Sequence, residues 1–521
     1  MRYLYGLALV FSIVLWSSCR NDFETVSSTG NLEFSQDTIF LDTVFTNIGS
    51  STRTMKVYNR SSDDITIPSI RLELGEASEY RLNVDGLAGK SFENINILAK
   101  DSIFVFIETT IDIDNLPNTD GSFLYTDRIL FDTDGNLQDV DLVTLVQDAV
   151  FLFPEQDADG TIETIVIGID EDDEEILIEG FYLDDDQLHF TNEKPYVIYG
   201  YAAVAPNKTL TVDAGARVHF HRDSGILVAN QGSMKVNGAQ SIDPELMENQ
   251  VIFEGDRLEP GFSDIPGQWG TIWLTQGSTN HEFSFTTIKN SVVGILMDSN
   301  DGGEDPTLTL KNVEIYNISN VGLLARTGNV YGENMVINNC GQTSLSCSLG
   351  GRYNFVHSTF ANYWNNGFRL FPAVSIDNAL QVGENEFIVA DLIEANFTNC
   401  IIYGSERREI GLFEDDDALF NFNFKNSLLK FEDPNGDFED DENYDFSNEL
   451  LYTDIVINED PVFFNTNANN FNIETETSSA DGIGKPSAAS QVPLDANGTS
   501  RNTSSPDAGA YESVVFPDDE G

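Results

Sequence analysis

The sequence predicts an all-β protein in which a β-sandwich is followed by a solenoid of short stacked strands. Residues 31–150 consist of short runs in which apolar and polar residues alternate, with turn residues about every 8 to 12 positions. From residue 195 onward a short phrase recurs: an alternating apolar run, an Asn, a turn and a Gly. Because no stretch with helical periodicity separates these runs, ordinary βαβ crossovers are excluded.

Length and charge narrow the class of protein. The chain has 521 residues, more than one ordinary globular core holds, so we expect two domains or a domain with an elongated repeat. Lys and Arg number 27 against 86 Asp and Glu, a formal net charge of −59. Since nucleic acids are bound by basic surfaces, we expect no nucleic acid as a partner. Such acidity keeps an exposed protein soluble and attracts divalent cations.

The N-terminus has the features of a secretion signal. Arg2 precedes an apolar run that ends at Trp16, and the sequence Ser-Ser-Cys then ends at Cys19. The run is too short for a committed membrane span, and no later segment is long and apolar enough to cross a bilayer. We therefore predict a signal peptide over residues 1–18.

The small-small-Cys ending resembles the lipobox of bacterial lipoproteins, with Trp16 where that family usually has Leu. The resemblance implies that Cys19 becomes the new N-terminus and carries acyl chains, so that the membrane is a partner through these chains. Residues 19–30 would then be a flexible tether. An Asp directly after the cysteine is the typical signal for retention in the inner membrane, and Cys19 is followed by Arg20. This favours the outer membrane. Which face of that membrane carries the protein, and whether it is exposed at the cell surface, stay open. The alternative is an ordinary signal peptide with a chance cysteine.

The predicted sandwich has a recognisable opening. Residues 44–70 read as a strand, an Asn-Ile-Gly-Ser turn, a strand, a Tyr-Asn-Arg-Ser turn and a third strand. This order resembles the immunoglobulin-like modules of the Hydin and major sperm protein class. The resemblance implies an immunoglobulin-like β-sandwich over residues 31–150 that binds partners or acts as a spacer.

Residues 151–194 are predicted to be an acidic joint between the two domains. Residues 155–186 hold 14 Asp and Glu and no Lys or Arg. Asp157, Asp159 and Glu163 are candidate calcium ligands because Ca²⁺ prefers carboxylate oxygens, although a full EF-hand spacing is absent. The alternative is a solvated charge run. A calcium-dependent adhesion module would predict a rise in melting temperature on addition of calcium.

The repeat is clearest in a set of asparagines that are 27, 22 and 23 residues apart: Asn290, Asn317, Asn339 and Asn362. Short strands in repeats of about 22 residues predict a parallel β-helix, in which each coil supplies three strands. The apolar residues two positions before each Asn should stack in the interior: Ile288, Ile315, Ile337 and Phe360. The asparagines should form a corner ladder, in which each amide bonds the next amide and the turn backbone.

Residues 195–512 resemble the right-handed parallel β-helix proteins of bacterial envelopes, in the pectate-lyase-like superfamily. The resemblance rests on DAGARVHFH, VIFEGDR, PGQWGTIWLTQGS and the closing Asp-x-Gly-Ala-Tyr-Glu at 507–512. It implies a right-handed β-helix. Residues 460–465 and the Asp-Gly-Ile-Gly turn at 481–484 predict a C-terminal cap over the open end, followed by a tail at 513–521. The family includes polysaccharide lyases and many lipoproteins with no known activity. Its lyases take a proton with Arg or Lys, while Ca²⁺ or another cation neutralises the substrate carboxylate.

The site candidates combine cations with aromatic rings, which suits an anionic sugar: Arg352, Tyr353, His357, Tyr363, Trp364 and Arg369. The alternative is that the Arg and His side chains pair with the abundant surface carboxylates. Trp269 and Trp273 are candidates either for the core or for a sugar-stacking platform. Of the three cysteines after Cys19, Cys340 and Cys347 either form a disulfide or remain buried thiols, and Cys400 is then left without a partner for a disulfide.

We therefore expect an envelope lipoprotein that displays a β-helix and binds a polysaccharide or an envelope protein without catalysis. No cofactor is required by this interpretation, and calcium is the one cation that the sequence suggests. The alternative function is that of a lyase or hydrolase acting on uronate-containing glycans.

Overall fold

The computed structural model describes residues 25–28, 32–115, 122–132, 137–170, 173–383 and 386–517. Strands account for 49% of the residues and helices for 4%, so the protein is all-β, as predicted. The chain divides into two compact units, the first ending at Asp148 and the second beginning at Ala149. The predicted signal peptide and Cys19 lie outside the described residues. Within those residues, no helix has the length and apolar character needed to cross a membrane.

The described residues of the first unit form two sheets. Its strands are β1 (Val26–Ser27), β2 (Glu33–Phe34), β3 (Thr38–Phe45), β4 (Arg53–Tyr58), β5 (Ile65–Leu72), β6 (Tyr80–Val84), β7 (Leu87–Gly89), β8 (Ser91–Ile97), β9 (Ser102–Thr109), β10 (Ser122–Asp132) and β11 (Gln138–Gln147), with 3₁₀ helices at Gly75–Ala77 and Ile113–Asn115. One sheet has the order β1-β5-β10-β11-β3, with β8 also paired to β5, and the other has the order β2-β4-β9-β6-β7.

The predicted alternation places one face of each sheet in the core of this unit. In β9, Ile103, Val105 and Ile107 are buried while Phe104 and Phe106 are exposed. Buried residues of both sheets belong to one hydrophobic cluster. Val26 and Ser27, which lie within the range predicted as a tether, form β1 and pair in parallel with β5.

The second unit contains most of the strands. They are β12 (Val150–Leu152), β13 (Thr164–Ile169), β14 (Glu175–Tyr182), β15 (His189–Phe190), β16 (Tyr196–Ile198), β17 (Tyr201–Val204), β18 (Thr209–Asp213), β19 (Arg217–Phe220), β20 (Gly225–Val228), β21 (Ser233–Asn237), β22 (Val251–Gly255), β23 (Ile272–Leu274), β24 (His281–Lys289), β25 (Ile295–Met297), β26 (Leu308–Ile318), β27 (Leu323–Glu333), β28 (Val336–Cys340), β29 (Leu345–Val356), β30 (Thr359–Asn362), β31 (Val374–Asp377), β32 (Ala379–Gly383), β33 (Glu386–Val389), β34 (Leu392–Thr398), β35 (Ile401–Gly404), β36 (Ile410–Phe413), β37 (Phe420–Lys425), β38 (Leu428–Leu429), β39 (Tyr452–Thr453), β40 (Val456–Ile457), β41 (Phe463–Asn465) and β42 (Asn470–Ile473). Helix α1 spans Pro486–Gln491, and 3₁₀ helices lie at Pro260–Phe262, Glu442–Tyr444 and Thr466–Ala468.

Twenty-seven of these strands belong to one sheet, in which parallel pairs mostly join strands that are two or three places apart along the chain. The pairs form three ladders, which are columns of parallel strands. The first ladder runs through β16, β19, β22, β28, β30, β35, β38 and β40; the second through β17, β20, β23, β25, β31 and β36; and the third through β15, β18, β21, β34, β37 and β39. The long strands β24, β26, β27 and β29 turn a corner and contribute to two ladders each.

The predicted interior stack is confirmed. On the first ladder Ile288 pairs with Ile315, and Ile315 with Ile337. Ile337 pairs in turn with Phe360. All four side chains are buried. Branched and aromatic side chains thus repeat at one position of successive strands, which makes a continuous core along the ladder.

The predicted asparagine ladder is only partly continuous. The amide of Asn339 donates to the Oδ1 atom of Asn317 at 2.7 Å, as expected. Asn290 instead donates to the carbonyl of Ser263, and Asn362 bonds the backbone of Cys340 in both directions. The main role of this corner is therefore to satisfy the backbone of turns, where Asn tolerates a positive φ.

A second column of corner residues was not predicted. Its members follow one another in register where the third ladder passes into the first, and each has a φ between +48° and +55°: Asn312, Asn334, His357, Asn399 and Asn426. Asn334 donates to the Oδ1 atom of Asn312 at 2.9 Å. The position therefore selects residues that accept the left-handed conformation, and His357 occupies it in one coil.

The C-terminal part of the chain packs along the side of the stack. We define the C-terminal segment as residues 459–516. Its Phe471 and Tyr511 share a buried hydrophobic cluster with Val336, and its Ile473 shares another with Ile401, on the outer face of the first ladder. The predicted position of the cap was therefore wrong. Instead, the aromatic side chains of the acidic run that follows β38 pack against the end of the core: Phe431, Phe438, Tyr444 and Phe446.

The segment predicted as an acidic joint belongs to the second unit. β12 pairs in parallel with β16, and β15 pairs with β18, so the stack begins before residue 195. The antiparallel hairpin β13–β14 packs Ile165 and Ile178 against Leu227 and Trp273 of the second ladder. The carboxylates of this segment are therefore carried by strands and their turns.

Candidate functional site

Arg352 and Tyr353, both predicted site residues, point to opposite sides of β29. Arg352 is exposed and lies 3.5 Å from Glu394 on the neighbouring strand. Tyr353 is buried in the core, where its hydroxyl lies 3.0 Å from the carbonyl of Ala325. A ligand on the outer face would therefore meet Arg352 alone.

His357 is also enclosed. Its ring is buried beneath the C-terminal segment, and its Nε2 atom accepts a hydrogen bond of 2.9 Å from the amide of Asn399. Burial is the main cause that lowers the pKa of His357 to about 2, and the nearby Arg501 guanidinium adds to it. The imidazole is therefore neutral at physiological pH. It stabilises the corner through its hydrogen bond with Asn399 and does not line a solvent-accessible site.

Arg369 forms a buried ion pair with Glu409. Two nearly parallel hydrogen bonds of 2.6 and 2.8 Å join the guanidinium to the carboxylate, and both side chains are at most 1% exposed. The same guanidinium donates to the carbonyls of Phe371 at 2.6 Å and of Asn362 at 2.9 Å. Bidentate geometry of this kind positions a backbone strongly. The pair therefore holds loop 363–373, which joins β30 to β31.

Tyr363 and Trp364 begin this loop. The ring of Tyr363 lies 6.3 Å from the rings of both Phe463 and Phe471 of the C-terminal segment. Trp364 is half-buried. The six predicted residues thus do not share one surface, because Tyr353, His357 and Arg369 are buried and Tyr363 is largely covered.

A groove of about 440 Å³ lies beside the Arg369–Glu409 pair. We call it the aromatic groove. Its lining consists of the end of loop 363–373, the strand β36 with the residues before it, and the aromatic side chains that close the core: Leu370, Phe371, Pro372, Glu406, Arg407, Arg408, Ile410, Gly411, Phe413, Phe431, Phe438 and Tyr444. Sequence reasoning found Arg369 but missed this lining, because its residues come from three distant segments.

The far edge of β36 explains why the groove lies here. In the described residues the second ladder ends at β36, while the other two ladders continue to β39 and β40. The Tyr444 hydroxyl accepts from the amide of Leu412 at 2.8 Å and so occupies the place of a further strand. The side chain of Phe413 points outward and is exposed. A strand edge that is covered by a side chain instead of by another strand leaves a recess, which a neighbouring strand would otherwise fill.

The charge of the groove is carried by two arginines and one glutamate. Arg408 lies 3.2 Å from Asp437 and 4.8 Å from the centre of the Phe438 ring. Arg407 is exposed and has no ion-pair partner among the described residues. In a chain of net charge −59, this leaves one guanidinium at the groove for an anionic group of a ligand.

Near the start of the second unit, a separate set of charged side chains lies on the first ladder, on strands β19, β22 and β24. Lys289 lies 2.8 Å from Glu254, and buried His219 lies 3.7 Å from the same carboxylate. Arg217 donates to the backbone carbonyls of Gln250 and Met247. These charges are satisfied within the group, so it offers no evident surface for a ligand.

The candidate calcium ligands lie around a turn. Asp159 accepts a hydrogen bond from the amide of Thr161, and Glu163 accepts one from the amide of Glu155. The Asp159 carboxylate also bonds the Thr161 side chain, and these bonds lower the pKa of Asp159. No group of three or more His, Cys, Asp or Glu side chains in the described ranges is placed to hold a metal ion.

The cysteines and tryptophans take structural positions. Cys340, Cys347 and Cys400 are buried free thiols, which decides between the two alternatives for Cys340 and Cys347. Burial raises the pKa of the Cys340 and Cys400 thiols to about 12. Trp269 is buried and stacks on Phe220 at 4.2 Å, so it belongs to the core.

Comparisons with known proteins give no relative that carries a functional argument. No family model matches the chain, and no curated protein matches it significantly. Among solved structures, a family 123 glycoside hydrolase from Clostridium perfringens has 10% identity over 23% of this chain and 26% of its own, with a TM-score of 0.16. The VesB protease of Vibrio cholerae has 10% identity over 23% of this chain and 32% of its own, also with a TM-score of 0.16. The periplasmic chaperone SfaE has 11% identity over 22% of this chain and 57% of its own, with a TM-score of 0.15. This chain therefore spans less than two thirds of each of these proteins.

Proposed function

We propose that this protein is a non-catalytic cell-envelope lipoprotein that binds a glycan or an envelope protein through the aromatic groove. The observation that carries the proposal is the groove itself, which combines exposed rings with the uncommitted guanidinium of Arg407. Concave sites with apolar walls and a few polar groups are where proteins bind ligands.

The proposal includes the finer architecture. We take the first unit as an immunoglobulin-like β-sandwich and the second as a right-handed parallel β-helix. Two sheets with a shared core support the former assignment. Parallel pairing along three ladders supports the latter, since each coil of a parallel β-helix contributes one strand to each of three columns. The first unit would then be a spacer or a second binding module.

Anchoring is proposed through Cys19, which would carry acyl chains in the outer membrane. Replacing Cys19 by Ala should abolish incorporation of labelled palmitate and move the protein from the membrane fraction to the soluble fraction. Labelling that persists in the Cys19→Ala variant would contradict the proposed anchor.

Binding is favoured over a lyase reaction because two of the three basic residues of the predicted group are enclosed, and the third, Arg352, is paired with Glu394. Arg369 is engaged by Glu409 and by backbone carbonyls, and His357 is buried beneath the C-terminal segment. A general base must reach the proton that it removes. Neither side chain meets this requirement in the described geometry.

The test titrates the purified mature protein with neutral and uronate-containing glycans and with envelope proteins, in parallel with the Phe413→Ser variant. We expect a ligand whose binding is weakened in the variant, and no new absorbance from unsaturated uronate. Formation of unsaturated products by the wild-type protein would overturn the proposal in favour of a lyase. Binding that is equal in both proteins would show that the groove is not the site.

A further inference from the structure

We infer that the aromatic groove and loop 363–373 form one docking surface for an extended protein segment in which a carboxylate lies beside a large apolar side chain. The inference rests on the proposed function, because it names the partner of the same groove. Four features of the described residues carry it: an anchored apolar loop, a second apolar protrusion, an uncommitted guanidinium and a surrounding field of carboxylates.

The loop presents apolar side chains on a fixed backbone. Phe368 is fully exposed and Leu370 is 90% exposed, while Arg369 between them is buried. Because Arg369 holds the loop through Glu409 and two backbone carbonyls, the flanking side chains cannot fold back into the core without breaking the pair. Exposed apolar patches that adjoin a groove mark interaction sites.

A second apolar protrusion leaves the same coil. The hairpin β32–β33 exposes Val382, Phe387 and Ile388. Loop 363–373 precedes β31 and this hairpin follows it, so the two protrusions leave from opposite ends of one strand. The outer faces of β31 and of its partner β36 lie between them. A partner in extended conformation that followed the groove would therefore contact apolar side chains at both ends.

Charge selects the chemistry of the partner. Arg407 can pair with one carboxylate, since Arg408 already pairs with Asp437. Asp415, Asp416 and Asp417 follow Phe413 within the sequence. These carboxylates oppose a polyanionic glycan or an anionic membrane, in which negative charges recur, far more than a segment with a single acidic residue. Phe368 and Leu370 together expose a large apolar area, and the apolar side chains of a peptide cover such an area more completely than a hydroxyl-rich sugar chain does.

The test uses fluorescent synthetic peptides of equal length, each neutral except for one Asp or Glu beside Leu or Phe. Matched peptides carry Ser or Lys in place of the acid. We expect the acidic-apolar peptides to bind the full mature chain most tightly. Arg407→Ala should weaken that binding about tenfold and should remove the preference for the acid. Phe413→Ser should weaken binding of all the peptides.

Two control variants replace residues of the same kind outside the groove. Arg222→Ala removes an arginine whose side chain is 84% exposed, and Phe40→Ser removes a ring that is 63% exposed, against 57% for Phe413. Neither should change peptide affinity. All four variants alter exposed side chains, and an unchanged melting temperature verifies that each is folded.

The outcomes separate this inference from the proposed function. Equal affinity for acidic, Ser and Lys peptides, or affinity that is unchanged in Arg407→Ala, would overturn the inference. Binding of a glycan, or of anionic phospholipid vesicles, that depends on Phe413 while no peptide binds would also overturn it. In the glycan case the proposed function would stand. If no glycan, peptide or envelope protein depends on Phe413, both fail.

Discussion

The side-chain amide nitrogen (Nδ2) of Asn399 donates a hydrogen bond of 2.9 Å to Nε2 of His357. Because Nε2 accepts this bond, it carries no proton and the imidazole is neutral. Both residues belong to the same corner column, and both have a positive φ. The pair links this corner to the C-terminal segment, because the Oδ1 atom of Asn399 accepts from the amide of Lys485 at 2.7 Å.

A pH dependence of stability follows from the burial of the neutral His357 imidazole. The pKa of His357 is about 2 in the folded protein, below the ordinary value near 6.5, so its stabilising contribution is present above pH ~6.5 and is lost as the pH falls. Linkage gives a loss of about 2 kcal/mol between pH ~6.5 and pH ~5. The His357→Asn variant keeps a residue that accepts positive φ and should lose less stability over this range.

Tryptophan fluorescence during unfolding provides the measurement, since Trp269, Trp273 and Trp364 lie in the second unit. His221→Asn is the contrasting variant. The hydrogen bond to Asp256 raises the pKa of His221, so this histidine stabilises the acidic side and its removal should steepen the loss on acidification. Identical pH profiles for wild type and His357→Asn would contradict the assignment.

The Arg369–Glu409 pair should be a structural anchor. Glu409→Gln leaves a buried guanidinium without its counter-ion and should destabilise the second unit by about 3–5 kcal/mol. Arg352→Ala breaks an exposed pair with Glu394 and should cost about 0–1 kcal/mol. Denaturant unfolding followed by fluorescence compares the two. A Glu409→Gln protein as stable as Arg352→Ala would mean that the pair is not an anchor.

Gly509 should be essential for the packing of the C-terminal segment against the first ladder. Its φ is +93°, and an added Cβ would lie 2.7 Å from Cδ1 of Ile401 and 2.8 Å from Oγ1 of Thr359. Gly509→Ala should therefore cost about 1–3 kcal/mol from the backbone alone, with the contacts adding to it. Limited proteolysis of residues 459–516 should accelerate in this variant.

Gly482→Ala is the matched control for that experiment. Gly482 has a φ of +72°, but the atom nearest to an added Cβ is Cβ of Ser505 at 3.8 Å. The control should show only the strain of the backbone, about 1 kcal/mol. Equal proteolysis rates in the two variants would show that the close packing of Gly509 on the first ladder is unimportant.

The hydroxyl of Tyr444 should protect the end of the second ladder. Tyr444→Phe leaves the amide of Leu412 without its 2.8 Å partner, at a cost of about 1–3 kcal/mol. Hydrogen exchange of the Leu412 amide should speed up while exchange at Ile376, on the neighbouring strand, changes less. Unaltered exchange at Leu412 would mean that water or another group replaces the hydroxyl.

The interior stack could be predicted from the sequence because its signal is local. Each interior residue lies two positions before an Asn, and the spacing stays between 22 and 27 residues. The second corner column escaped prediction for two reasons. His357 interrupts the run of asparagines, and 42 residues separate it from Asn399 because loop 363–373 and the hairpin β32–β33 are inserted there.

The groove could not be predicted, because its parts are distant in sequence. Phe371, Phe413 and Tyr444 meet only through the register of the coils. Phe438 and Tyr444 lie in an acidic stretch of the sequence, yet their rings pack at the end of the core. Arg369 was selected for its charge, but its partner Glu409 lies 40 residues away, and the pairing removes that charge from the surface.

The most direct test of the account is amide hydrogen exchange of the full mature chain, with and without the tightest-binding glycan or peptide probe. We predict slower exchange at Phe371 and in β36, with no change at Arg352 on the third ladder. Protection confined to other segments, or the absence of any probe that protects β36, would contradict the claim that the aromatic groove is the binding site.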